Sequence, residues 1–87
     1  MASKGRHAIE ARLARIEGHL HAVHRMAHEG KSYPEIVHQI AAVRSSLDSV
    51  LQAIVEDLAD HCVHTATTRA SVASAVEELR TVVASAL

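Results

Sequence analysis

This 87-residue chain carries eight histidines and a single cysteine, Cys62, as nitrogen and sulfur donors for a metal or an electrophile. His61 and His64 flank Cys62. A thiolate and imidazoles close together suit borderline divalent metals such as Ni, Co or Zn. Cys62 with His61 or His64, from either subunit of an oligomer, is the candidate metal pair, and Glu78 is a candidate outer-shell acid. Glu17, His21, His24 and His28 follow one another at helical spacing, and His38 stands two residues before Ile40. Imidazoles one turn apart can share a metal. The plainer reading makes these histidines polar positions on solvated helix faces, where they add positive charge at mildly acidic pH. A lone cysteine is likewise often a small buried hydrophobe.

A second chemistry comes from arginine. Arg12 and Arg15, three residues apart, project from neighbouring positions on one helix face, and Arg44 can extend the same patch. The planar guanidinium fork makes charge-assisted, often bidentate bonds to phosphate. The alternative is intrahelical pairing with Glu10 or Glu17, worth only about 0.2–0.5 kcal/mol. No nucleophile–base pair or phosphate-binding loop is recognisable, so no enzyme is expected.

These side chains need helices to position them. Ile9, Leu13, Ile16, Leu20, Val23 and Ala27 fall at alternating four- and three-residue steps and predict a helix over residues 6–29. Gly30 is a natural stop. Ser32-Tyr33-Pro34-Glu35 reads as a capping box with proline in the first turn. It opens a second helix over 33–63, whose seam is Ile40, Val43, Leu47, Val50, Ile54 and Leu58. The Thr-rich segment 65–68 breaks the pattern. Thr67 or Thr68 can cap a third helix over 69–86 with Val72, Val76, Leu79, Val83 and Ala86 on its stripe. The expectation is an all-α, three-helix protomer forming one domain over residues 1–87. Its long antiparallel hairpin pairs with a second into a four-helix bundle dimer, with the third helix packing across it or mediating a dimer of dimers.

Composition supports assembly. With no Trp or Phe and one aromatic, Tyr33, the core must be built from Ala, Val, Leu and Ile. A lone chain of this size is marginal. The net charge of −1 conceals an asymmetry. Residues 1–31 hold Lys4, Arg6, Arg12, Arg15, Arg25 and Lys31 against Glu10, Glu17 and Glu29, a net of +3; the rest of the chain is net −4. A basic first third points to an anionic partner, and the lack of aromatic stacking surfaces argues against single-stranded nucleic acid. One cysteine excludes an intramolecular disulfide and fits a reducing compartment. Neither a membrane-spanning run nor a secretory segment is recognisable, so a cytoplasmic protein is expected.

Arg12-Leu13-x-Arg15-x-x-Gly18-His19-Leu20 and Arg25-Met26 in the first helix, followed by Gln39-Ile40-x-Ala42-Val43, Ser45-Ser46-Leu47 and His61-Cys62 in the second, resemble the CsoR/RcnR family of all-helical bacterial repressors. The resemblance runs in register from about residue 9 to residue 63. It implies homo-oligomers of hairpins, usually tetramers, that bind double-stranded operator DNA through a basic face without a helix-turn-helix. It also implies an inducer site between subunits. Copper-sensing members bind Cu(I) there through a Cys near the start of the second helix and a His and Cys one turn apart near its end. On this chain those sensor-site positions are Tyr33, Leu58 and Cys62, so the ligand set departs from the copper pattern and a divalent metal (Ni, Co or Zn) is the better candidate than Cu(I). The resemblance supports Arg12 and Arg15 as DNA contacts, with Arg44 as an extension. The leading reading is a repressor with altered inducer sensing, its inducer a His-liganded divalent metal, a thiol-reactive molecule acting at Cys62, or another species. The alternative is a helical metal-binding or scaffold protein that has lost operator binding.

Overall fold

The structure, a computed structural model, describes residues 4–65 and 68–86. Three helices follow in order: α1 (Lys4–His28), α2 (Tyr33–Thr65) and α3 (Arg69–Ala86). No strand occurs among the described residues. The expected helices are all present, with ends shifted by no more than two residues.

The stops and starts follow from side-chain chemistry. Gly30 adopts φ +76°, a conformation that costs any residue with a Cβ about 1–2 kcal/mol. Its amide donates to Ala27 O at 3.3 Å, and Lys31 N donates to Met26 O at 3.0 Å, closing the carbonyl end of α1. The capping box then forms as expected. Glu35 N donates to Ser32 Oγ at 3.4 Å while Ser32 N donates to Glu35 Oε2 at 3.2 Å. Thr68 caps α3 in the same reciprocal manner, with Ser71 replacing the acid: Ser71 N donates to Thr68 Oγ1 at 3.0 Å and Thr68 N to Ser71 Oγ at 2.9 Å. Thr67, the other candidate cap, lies outside the described residues.

Contacts group the chain into two compact units, Met1–Val50 and Leu51–Leu87. In the first, α1 and the opening half of α2 run antiparallel, tied by a 2.7 Å hydrogen bond from His19 Nε2 to Gln39 Oε1. Its buried side chains are Val23, Val43 and Val50, with Ile9, Ile16, Ile36 and Met26 half-buried beside them. The expected seam is therefore only partly enclosed. Leu13, Leu20, Ile40 and Leu47 remain exposed, Leu20 by 53% and Ile40 by 50%. The reason is angular. Leu13 and Leu20 lie some 40–60° to one side of Ile16, and Ile40 and Leu47 lie 40–60° to the same side of Val43 (about 100° per residue). Two helices enclose only the line of contact between them, and a four-three stripe is wider than that line.

In the second unit, the closing half of α2 meets α3 through half-buried Ile54, Val55, Leu58, Leu79, Val82 and Val83. Cys62 Sγ donates to Ala75 O at 3.5 Å across the pair. Val63, Val72 and Val76 are exposed.

The two helix-relevant glycines should respond oppositely to alanine. A Cβ at either meets nothing within 4 Å. Gly30→Ala carries only the backbone penalty and should destabilise by about 1–2 kcal/mol. Gly18→Ala, in mid-helix, should stabilise by about 1 kcal/mol. Chemical denaturation of the two variants beside the parent checks both signs.

Candidate nucleic-acid face and sensor positions

Arg12 and Arg15 line an open groove of about 460 Å³ in the first unit. Its remaining walls are Ile16 and His19 from α1 and Ser46, Ser49 and Val50 from α2. The register explains the assembly. Arg12, Arg15 and His19 all lie on the flank of α1 opposite Leu13 and Leu20, and Ser46 and Ser49 lie on the matching flank of α2. Thus the hairpin has one polar, cationic face and one apolar face. The His19–Gln39 hydrogen bond spans the polar face and fixes the two helices in register there.

Both guanidinium groups are available. Arg12 and Arg15 are exposed, and among the described residues neither forms an ion pair or hydrogen bond with a protein group. The intrahelical pairing with Glu10 or Glu17 is not formed. Ser46 and Ser49 donate back to the carbonyls of Ala42 (3.0 Å) and Ser45 (3.3 Å), and either hydroxyl can rotate toward an incoming acceptor. Such a surface can hold anionic oxygens with two fixed positive charges and flanking neutral hydroxyls.

Arg44 does not line this groove. It is exposed, about 160° round α2 from Ser46, so the helical period separates it from Arg12 and Arg15. The α2 wall consists instead of Ser46 and Ser49, which a search for charge overlooks. Their one-turn spacing beside the Val50 seam position was the available signal.

The sensor positions are distributed over both units. Tyr33, the first residue of α2, is 84% exposed. Leu58 and Cys62 lie one turn apart on α2 and are both half-buried. The Cys62 thiol is engaged with Ala75 O. His61 is exposed, and as Cys62's immediate neighbour it projects about 100° away round the helix. His64 faces back along α2, its Nδ1 donating to Asp60 O at 2.8 Å and standing 3.4 Å from Asp60 Oδ1. Glu78 is exposed on α3. Among the described residues no three His, Cys, Asp or Glu side chains of this chain are arranged to hold a metal ion.

The chain is thus a long helical hairpin with a cationic face, followed by a third helix. The model of the metal-sensitive transcriptional repressor family matches residues 6–85, and the chain belongs to that family. The copper-sensing transcriptional repressor CsoR of Bacillus subtilis (strain 168) is 34% identical over 77 residues, covering 88% of this chain and 76% of that protein. The nickel-responsive transcriptional regulator InrS shares the fold with a TM-score of 0.79 and 33% identity, over 93% of this chain and 91% of that one. Among the described residues, no helix is long and apolar enough to cross a membrane.

Proposed function

We propose that this chain is a cytoplasmic, operator-binding repressor that works as a homo-oligomer and whose inducer is not Cu(I). The single observation that carries DNA binding is the groove face of the first hairpin, where Arg12 and Arg15 stand exposed without an acidic partner. Phosphate contacts position a protein on duplex DNA, and they need cations free to leave water for phosphate. Family similarity from residue 6 to residue 85 runs across both units, which supports one repressor domain over residues 1–87.

The opposite face supports oligomerisation. Leu13, Leu20, Ile40 and Leu47 form an apolar surface on a chain whose buried side chains, among the described residues, are three valines. Covering these leucines and isoleucines with the same face of a second hairpin gives a four-helix bundle, and the cationic grooves then remain outside. The exposed Val72 and Val76 of α3 supply surface for pairing two such dimers into a tetramer.

Inducer sensing departs from the copper pattern because of the donors present. Tyr33 offers a phenol, Leu58 no donor and Cys62 one thiol, whereas Cu(I) favours soft sulfur ligands. These residues do not fit a Cu(I) site, and a divalent ion such as Ni, Co or Zn suits the histidine-rich chain better. InrS, which shares the fold, is nickel-responsive.

Two experiments test this reading. Duplex DNA selected from a random pool should bind the protein with strong salt dependence. Arg12→Ala and Arg15→Ala should each weaken binding and lower the log–log salt slope by about one. Arg44→Ala, off the groove, should do less; unchanged binding in both groove variants would reject the assignment. For sensing, the wild type should bind Cu(I) no more tightly than one thiol allows, and Tyr33→Cys/Leu58→His should create a tight site. Stoichiometric, tight Cu(I) binding by the wild type, read by competition with a Cu(I) chelator, would contradict it.

A further inference from the structure

We propose that α1 carries a divalent-metal site of its own, in which His24 and His28 are the ligands. The site is separate from the sensor positions on α2 and independent of DNA binding. His24 and His28 are one turn apart near the end of α1, so their Cβ atoms stand about 5–6 Å apart on one face. Two imidazole nitrogens projecting from that spacing can reach one ion at bonds of about 2.0–2.1 Å. His21 lies on the same stripe one turn before His24, with Glu17 one turn before His21.

Availability separates these rings from the others with described contacts. His19 is tied to Gln39 and His64 to Asp60. His21, His24 and His28 are exposed, and among the described residues none of the three forms a hydrogen bond or ion pair. Their nitrogens are free without breaking any structural contact. His28 is the last residue of α1, where the carbonyl end of the helix carries partial negative charge and favours a cation. Arg25 is the opposing charge in that turn, and it projects about 100° round the helix from His24.

No three donors of the chain converge among the described residues, so the site uses two imidazoles and completes its coordination with water. Neutral nitrogen pairs of this kind take borderline ions such as Zn(II), Ni(II) or Cu(II) in preference to Mg(II) or Ca(II). The stripe borders the exposed apolar flank at Leu20 and lies away from the groove of Arg12 and Arg15. Metal there therefore leaves the cationic face unobstructed.

The test is a Zn(II) titration of the full-length, reduced protein against a chromophoric competitor. His24→Gln, His28→Gln and Cys62→Ala are run beside the wild type, with helix content followed by circular dichroism. The expected result is one zinc equivalent per chain that survives Cys62→Ala and is lost in either histidine variant at unchanged helix content. Zinc-induced shifts of the His24 and His28 ring signals in nuclear magnetic resonance spectra provide a second readout that needs no variant. Equal zinc uptake by wild type and both histidine variants would overturn the proposal. So would loss of that equivalent in Cys62→Ala, or unshifted ring signals at saturating zinc.

Discussion

The enclosure of a wide apolar stripe by only two helices is the constraint from which the other features of the hairpin follow. Val23, Val43 and Val50 sit on the line where α1 meets α2 and are at least 94% buried. The larger side chains of the stripe, Leu13, Leu20, Ile40 and Leu47, fall to one side of that line. Fully burying a leucine or isoleucine is worth about 1.5–3 kcal/mol, and these four keep 37–53% of their surface in water, so roughly half of that stabilisation is unrealised at each in a chain of marginal size. Four of the leucines and isoleucines of the stripe thus stand where a further apolar surface can cover them.

The same geometry separates two chemistries. A hairpin is flat enough to have two faces, and the 100° step between residues assigns each side chain to one of them. Leu13, Leu20, Ile40 and Leu47 go to one; Arg12, Arg15, His19, Gln39, Ser46 and Ser49 go to the other. Cationic groups held on the face away from the apolar surface remain accessible when that surface is covered. Covering the apolar face and binding an anion at the cationic one would therefore draw on different residues, and the His19–Gln39 bond ties the two helices together on the cationic side.

The helices were legible in the sequence because their boundaries are local chemistry. Gly30 at positive φ, the Ser32–Glu35 box and the Thr68 cap each act within a few residues. The role of each stripe residue was less legible. A four-three repeat shows that Leu13 and Val23 share one side of α1, but which of them the intrachain contact buries depends on the crossing of two helices, a nonlocal property. The groove shows the same limit. Charge and family resemblance point to Arg12 and Arg15, whereas proximity to Val43 suggests the same patch for Arg44, which projects elsewhere. Ser46 and Ser49 occupy the α2 wall without any compositional flag. The expected sensor positions rest on the resemblance alone, because Tyr33, Leu58 and Cys62 make no motif together and lie in different units.

Oligomerisation through the apolar face is the claim on which the rest depends, and sedimentation equilibrium of the wild type and Leu20→Glu, paired with thermal unfolding across a range of concentrations, tests it most directly. The account predicts an oligomer whose unfolding temperature rises with protein concentration, as mass action requires when folding and association are linked. Leu20→Glu should dissociate it and remove that dependence. A wild-type monomer with concentration-independent unfolding, or a Leu20→Glu protein that assembles as the wild type does, would contradict it.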